Sequence, residues 1–209
     1  MAAGLGTRLK PLTDRTPKAL LPVKGTPLIH RLITQLSEAG IRDLSINLHH
    51  FGEQIEASLG DGSAFDVQIR YAPEETLLET GGTIVRALPW LGQAPFLVVN
   101  ADIYTDFDFN ALPEVLGDDL VHMVLVPTPD WRAHGDFEFT DGRITARGEP
   151  YVYCSIAVVS PTLFEGAPQG PFSWRDLFFA AAEKGRVSGQ IHRGYWHDIG
   201  TLSQYEAVR

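Results

Sequence analysis

The chain has 209 residues, a formal net charge of −9 and 44% apolar residues, and it contains one cysteine, Cys154. That length suits one α/β domain burying roughly 70% of its unfolded surface, and the acidic balance excludes a general nucleic-acid binder, which would carry a basic stripe. A lone cysteine allows no internal disulfide, and no apolar run approaches the ~20 residues of a membrane span; the expectation is a soluble cytoplasmic protein that binds neither nucleic acid nor membrane, as a monomer or small homo-oligomer.

Residues 2–18 read A-A-G-L-G-T-R-L-K-P-L-T-D-R-T-P-K. Within an acidic chain this loop gathers Arg8, Lys10, Arg15 and Lys18 around Gly4 and Gly6, the composition of a phosphate cradle. Glycines let successive backbone N–H groups converge on an anion, and the basic side chains add charge. The loop is not a Walker A motif, because G-x-x-x-x-G-K-[ST] is absent. Nor is it a dinucleotide fingerprint, because Leu9 stands where a third small residue is required.

Leu28, Ile29, Leu32, Ile33 and Leu36 recur at helical spacing, and Gly40 is placed to end that helix. A strand is predicted over 43–48, a helix over 52–59 closed by Gly60-Asp61-Gly62, and a strand over 67–71. Thr80-Gly81-Gly82 opens a further helix through about Ala87. Phe96-Leu97-Val98-Val99 reads as a fully buried central strand ending at Asn100-Ala101-Asp102. The alternation predicts an α/β fold, a Rossmann-like mixed and mostly parallel sheet with helices on both faces. Such sheets bind ligands outside the carboxyl ends of their strands, which makes Asp102 a functional candidate; a helix or turn cap is the plainer alternative.

From Val121 the texture becomes antiparallel. Strands are predicted over 121–126, 137–140, 144–147 and 151–159, with Asp141-Gly142 as a hairpin turn. A helix over 174–183, a strand over 187–192, the string Tyr195-Trp196-His197-Asp198-Ile199-Gly200-Thr201 and a short helix complete the chain. There is no repeat, low-complexity tract or linker.

The basic loop and two separated aspartates suggest metal-assisted chemistry on phosphate. Mg²⁺ prefers oxygen ligands and commonly takes one or two carboxylates, leaving other positions to water and substrate phosphates. Asp102 and Asp198 suit that need. An ionised phosphate monoester can itself attack in line, so no protein nucleophile is required and positioning and electrostatics carry the acceleration.

These residues resemble a family. Gly4-Leu5-Gly6-Thr7-Arg8 followed by Pro17-Lys18 is similar to the signature loop of the sugar-1-phosphate nucleotidyltransferases. Leu78-Glu79-Thr80-Gly81-Gly82 resembles their base-recognition segment, Asn100-Ala101-Asp102 their first metal-ligand motif, and Trp196-His197-Asp198-Ile199-Gly200-Thr201 their second. The resemblance runs over essentially the whole chain. It implies a nucleotide-diphospho-sugar transferase fold in one domain, with residues 1–120 mainly nucleotide-binding and 121–209 mainly sugar-binding plus the second metal ligand.

The same resemblance implies roles. Ala2, Ala3, Gly4, Leu5, Gly6 and Thr7 would hold a nucleoside triphosphate, Arg8 would neutralise the departing pyrophosphate, and Lys18 would touch the α-phosphate and the sugar 1-phosphate. Glu79, Gly81 and Gly82 would read the base. Asp102 and Asp198 would hold Mg²⁺, with Arg8, Lys18 and Asp102 as the catalytic set. Asn100, Gly135 and Glu149 would bind the sugar. Many relatives place a Glu-Lys pair near Glu149; here Pro150 follows it, and Arg147 is the nearby cation. The strings L-E-T-G-G, N-A-D-I-Y-T-D-F-D-F, H-G-D-F and Leu163-Phe164-Glu165-Gly166 imply UTP and N-acetylmuramate 1-phosphate as substrates, in cell-wall recycling. Mannose-, glucose- and heptose-1-phosphate enzymes using GTP or dTTP share the frame, and a non-catalytic nucleotide-sugar-binding regulator is the alternative from another class.

Other features have plain readings. His49-His50 reads as a structural pair at a strand end rather than as metal ligands, and His197 either orients Asp198 or is a strand-end histidine. Cys154 reads as inert core, and Phe172, Trp174, Phe178 and Phe179 as core aromatics. The family places a buried apolar strand before the signature loop, whereas this chain starts at the loop; the expectation is that this first strand is missing.

Overall fold

The computed structural model describes residues 1–209 and divides into two compact units, each discontinuous in sequence. The first comprises residues 1–77, 100–111 and 195–209, the second residues 78–99 and 112–194.

In the first unit, the short strands β1 (Pro22–Val23) and β2 (Thr26–Pro27) pair antiparallel and lead into helix α1 (Leu28–Glu38). The apolar stripe of α1 buries Leu28, Ile29, Leu32, Ile33 and Leu36, as its spacing predicts. Strand β3 (Asp43–Leu48) runs parallel to β4 (Gln68–Pro73), with α2 (Gly52–Leu59) between them in the chain. Ile29, Ile33, Ile46, Leu48, Ile55, Leu59 and Val67 form one core cluster, which also takes in Ala19 and Ala101. A second cluster joins Leu9, Leu21, Val23, Leu28, Ile199, Tyr205 and Val208. These two clusters anchor the basic loop at Leu9 and Ala19, and they anchor the segments carrying the two aspartates at Ala101 and Ile199.

The second unit is built on a five-stranded mixed sheet with helices α3 (Glu79–Leu91) and α4 (Arg175–Glu183). Its strands are β5 (Phe96–Val99), β7 (Val121–Pro127), β8 (Phe137–Thr140), β9 (Arg143–Val159) and β10 (Val187–Ile191). Strand β7 pairs parallel with β10 and antiparallel with β9; β5 and β8 also pair antiparallel with β9. The mixed α/β fold agrees with the sequence reading, but the expected mostly parallel pairing does not: most strand pairs are antiparallel. Parallel pairing is confined to β3–β4 and β7–β10, because β9 recruits antiparallel neighbours on both sides.

Two details differ from expectation. β5 lies at the end of the strand order with Phe96 and Leu97 half-buried, rather than as a buried central strand; an apolar run alone does not distinguish these. Residues 144–147 and 151–159 are one continuous strand, β9, in which Gly148-Glu149-Pro150 does not turn. Pro150 lacks an N–H, yet its carbonyl accepts from the Thr128 amide at 3.0 Å, and irregular register against β8 absorbs the bend. A bulge opposite Met123 and Leu125 puts Ser155 at φ 65° within the strand.

The strand β6 (Ile103–Thr105), in the first unit, pairs antiparallel with β11 (Trp196–Asp198), and a five-residue helix α5 (Leu202–Glu206) follows. No helix is long and apolar enough to cross a membrane.

Candidate active site

The basic loop folds as three single 3-10 turns, Thr7–Leu9, Leu12–Asp14 and Lys18–Leu20. Gly6 precedes the first with φ 62°, and a Cβ there would lie 2.8 Å from the Thr13 methyl carbon. Both conformation and space therefore demand glycine at position 6. Thr13, almost wholly buried, donates its hydroxyl to the Gly6 carbonyl at 2.8 Å, and the Leu9 amide donates to the same oxygen at 2.9 Å. Gly4 is different: its backbone needs no positive φ, and nothing lies within 4 Å of where a Cβ would sit. Its contribution is open space above the main chain, which suits close approach by a ligand.

The start of the loop is braced from below. The Ala2 amide donates to Asn47 Oδ1 at 2.7 Å, and Asn47 Nδ2 donates to Glu74 Oε1 at 2.9 Å, with Asn47 and Glu74 both buried. Sequence reasoning missed this pair. The signal was an asparagine inside the apolar strand β3 and a glutamate just after β4, and only strand pairing brings them together. Thr13 was missed because its contact with Gly6, seven residues back, depends on how the 3-10 turns fold the loop on itself.

The β6–β11 ladder brings the backbones of Asp102 and Asp198 close together. Asp198 stands opposite Ile103, and the Ile199 amide donates to the Asp102 carbonyl at 3.1 Å, so the two aspartates occupy adjacent rungs. Thr201 caps α5 by accepting from the Gln204 amide at 3.3 Å, while Gln204 Oε1 accepts from the Gly200 amide and the Thr201 hydroxyl, both at 3.0 Å. This fixes the turn after Asp198. Burial lowers the His197 pKa, partly offset by the Gln204 backbone and the Asp198 charge.

Lys18 Nζ donates to Asp102 Oδ2 in a close ion pair whose side chains are only 14% and 26% exposed. The other oxygen, Oδ1, is buried without a hydrogen-bond partner. That oxygen keeps lone pairs that a cation could take, and leaving a buried carboxylate oxygen unsatisfied is costly. Arg8 is exposed and reaches Gly200, where a Cβ would lie 3.2 Å from its Nη2. Lys10 pairs instead with Asp14 at 3.2 Å on the surface. In the first unit, therefore, residues 2–8, Lys18, Asn100, Asp102 and Asp198 belong to one compact body.

Glu79, Gly81, Gly82, Gly135 and Glu149 belong to the second unit. Glu79 opens α3 with φ 58°, a left-handed conformation unusual for a glutamate. The amides of Gly81 and Gly82 donate to the Phe172 carbonyl at 2.9 and 3.3 Å. Gly135 donates its amide to Glu149 Oε2 at 3.0 Å, and a Cβ at Gly135 would lie 2.2 Å from the Glu149 carbonyl oxygen. The glycine is thus required where two backbones touch. The same Glu149 oxygen lies 3.3 Å from His134 Nδ1, and Asp136 accepts from Arg132 and from the Tyr153 amide. The Arg147 guanidinium lies 4.2 Å from the Phe179 ring centroid, a cation–π contact.

The plainer readings hold for several residues. His49 Nδ1 lies 2.8 Å from the Glu74 carbonyl and His50 packs on Phe51, so neither faces a metal cluster. Cys154 is fully buried, which raises its thiol pKa, and Trp174 and Phe178 are core, whereas Phe172 and Phe179 are only half-buried.

A glycine-rich basic loop whose Lys18 pairs with Asp102, on a mixed α/β frame, suits an enzyme that acts on phosphates. The chain belongs to the nucleotidyl transferase family, whose sequence profile matches residues 1–145. It is 41% identical over 222 residues to an N-acetylmuramate alpha-1-phosphate uridylyltransferase of Neisseria meningitidis, spanning 100% of this chain and 95% of the relative. A protein of the same name from Caulobacter vibrioides is 35% identical over 96% of this chain and 90% of its own length. Among solved structures, HddC from Yersinia pseudotuberculosis superposes with a TM-score of 0.83 at 25% identity, covering 99% of this chain and 95% of that one.

Proposed function

We propose that this protein is a Mg²⁺-dependent sugar-1-phosphate nucleotidyltransferase that joins UTP to N-acetylmuramate 1-phosphate and releases pyrophosphate. The observation that carries the reading is the Lys18–Asp102 pair, with one buried Asp102 oxygen left unpartnered and Asp198 on the next rung. Two oxygen donors of this kind fit a hard divalent cation, and Asp102 and Asp198 would hold it. When bound, the ion would neutralise charge on the phosphate oxygens.

The chain's own residues supply the rest. Backbone amides of residues 2–7 cradle the triphosphate, and Arg8 meets the charge that grows on pyrophosphate as it leaves. Lys18, released from Asp102, draws the α-phosphate and the sugar phosphate together. A sugar-phosphate oxygen forms the new bond to the α-phosphorus while the bond to the pyrophosphate oxygen breaks, with no covalent protein intermediate. In the second unit, residues 78–82 read the base, and Gly135 and Glu149 meet the sugar. Support for the substrate pair comes from the names of the two relatives described above. The setting implied is cytoplasmic cell-wall recycling, by a monomer or small homo-oligomer.

The test is a panel of nucleoside triphosphates against sugar 1-phosphates, read by pyrophosphate release with and without Mg²⁺. UTP with N-acetylmuramate 1-phosphate should turn over fastest. Preference for GTP with mannose 1-phosphate, or equal rates in EDTA, would overturn the reading.

A further inference from the structure

We infer that residues 170–172 form a backbone template that shapes the base-reading segment, and that Phe172 is a positioning residue for the nucleoside triphosphate. The inference rests on the reading that residues 78–82 meet the base.

Helix α3 begins without a capping side chain, since Leu78 precedes it. Its first-turn amides must therefore find partners elsewhere. Phe172 supplies them: its carbonyl accepts from Gly81 and Gly82 at 2.9 and 3.3 Å, and its own amide donates to the Leu78 carbonyl at 3.1 Å. These three bonds flank Glu79 on both sides. Glu79 sits at φ 58°, where a residue with a side chain persists only if its surroundings over-determine it. The main-chain bonds to Phe172 provide that constraint, because they fix the chain one residue before Glu79 and two residues after it, and the Phe172 ring, lying against Gly81, seats residue 172 where it can make them.

The glycines now have a different explanation. A Cβ on Gly81 would lie 2.4 Å from the Phe172 ring, and one on Gly82 would lie 2.2 Å from the Gly170 carbonyl oxygen. Both positions are glycine so that residues 170–172 can lie directly on the start of α3. Their amides are already spent on Phe172, which leaves Glu79, in its left-handed conformation, and the following Thr80 as the residues of the segment whose amides Phe172 does not take. The geometry of those two residues, and with it discrimination among bases, is inherited from Phe172.

The experiment compares Phe172→Ala, Phe172→Leu, Gly81→Ala and the double variant Gly81→Ala/Phe172→Ala, each checked for a native melting transition. Phe172→Ala keeps the three main-chain bonds but removes the ring that seats them on Gly81, and it should raise KM for UTP by about tenfold, the scale of one lost positioning contact, while kcat changes less than about threefold. The preference for UTP over other triphosphates should narrow, and Phe172→Leu should restore most of both. Gly81→Ala should weaken UTP binding in calorimetry, and the double variant should recover part of the loss, since removing the ring removes the clash. A folded Phe172→Ala protein with unchanged KM and base preference would overturn the template, as would strict additivity in the double variant. Glu79→Ala separates the two readings: if it leaves UTP affinity unchanged, the base-reading assignment fails, whereas if it weakens UTP while Phe172→Ala does not, only the template fails.

Discussion

Replacing Lys18 with Met tests the charge pairing at the centre of the site while keeping most of the side chain's apolar bulk. An exposed ion pair contributes about 0.2–1 kcal/mol, and breaking a fully buried one costs about 3–5 kcal/mol. With side chains 14% and 26% exposed, the Lys18–Asp102 pair lies nearer the buried limit. Its Asp102 partner would then have neither oxygen hydrogen-bonded by Lys18, because Oδ1 has no partner to begin with. A loss of about 2 kcal/mol follows from that intermediate position. For a chain of 209 residues, each kcal/mol shifts Tm by about 2–4 °C, so Tm in EDTA should fall by about 4–8 °C. Added Mn²⁺ or Mg²⁺ no longer competes with the ammonium group and should stabilise the variant more than the wild type, while turnover drops by more than about tenfold. Differential scanning fluorimetry across a metal titration reads both effects. An unchanged Tm in EDTA together with an identical metal response would refute the argument that Lys18 and a divalent ion share Asp102.

Gly135→Ala should cost about 1–3 kcal/mol by forcing the Glu149 backbone away, since the new Cβ would lie 2.2 Å from its carbonyl oxygen; urea denaturation measures this, and KM for the sugar phosphate should rise with KM for the triphosphate unaffected. Burial lowers the pKa of His122 and His30 below 6.5. The unfolded chain therefore binds more protons just below that value, so stability is full above about pH 6.5 and declines as pH falls through the folded values; chemical denaturation at pH 5.5 and 7.5 should show the lower midpoint at 5.5, with a smaller difference in His122→Gln. Cys154 is fully buried with its thiol pKa raised, so a thiol reagent should label it only on unfolding, and fast labelling of the native protein would contradict that burial.

Much of the local structure was legible in the residues alone. Helix α1, strand β3 and helix α2 follow from apolar periodicity and flanking glycines, because those signals act within a few residues. The candidate loop was legible for a similar reason: Gly4, Gly6, Arg8 and Lys18 lie in one short stretch whose composition has few other uses. Less legible were the features that depend on a partner far along the chain. Gly148-Glu149-Pro150 reads as a break, and the β8 ladder does skip it, passing from Ala146 to Tyr151; main-chain bonds to Thr128 and Asp136 keep it within β9.

The residues by themselves determined the mixed α/β class and marked the loop as a candidate phosphate cradle and Asp102 and Asp198 as candidate metal ligands, since these readings rest on residue type and local motifs. Only the tertiary structure decided what those residues meet. Lys18 and Asp102 pair across 84 positions, and Asp198 reaches the rung beside Asp102 through antiparallel pairing. Gly81 and Gly82 proved to make room for Phe172 and Gly170. Long-range contacts of this kind are fixed by strand register and core packing, which no local pattern encodes.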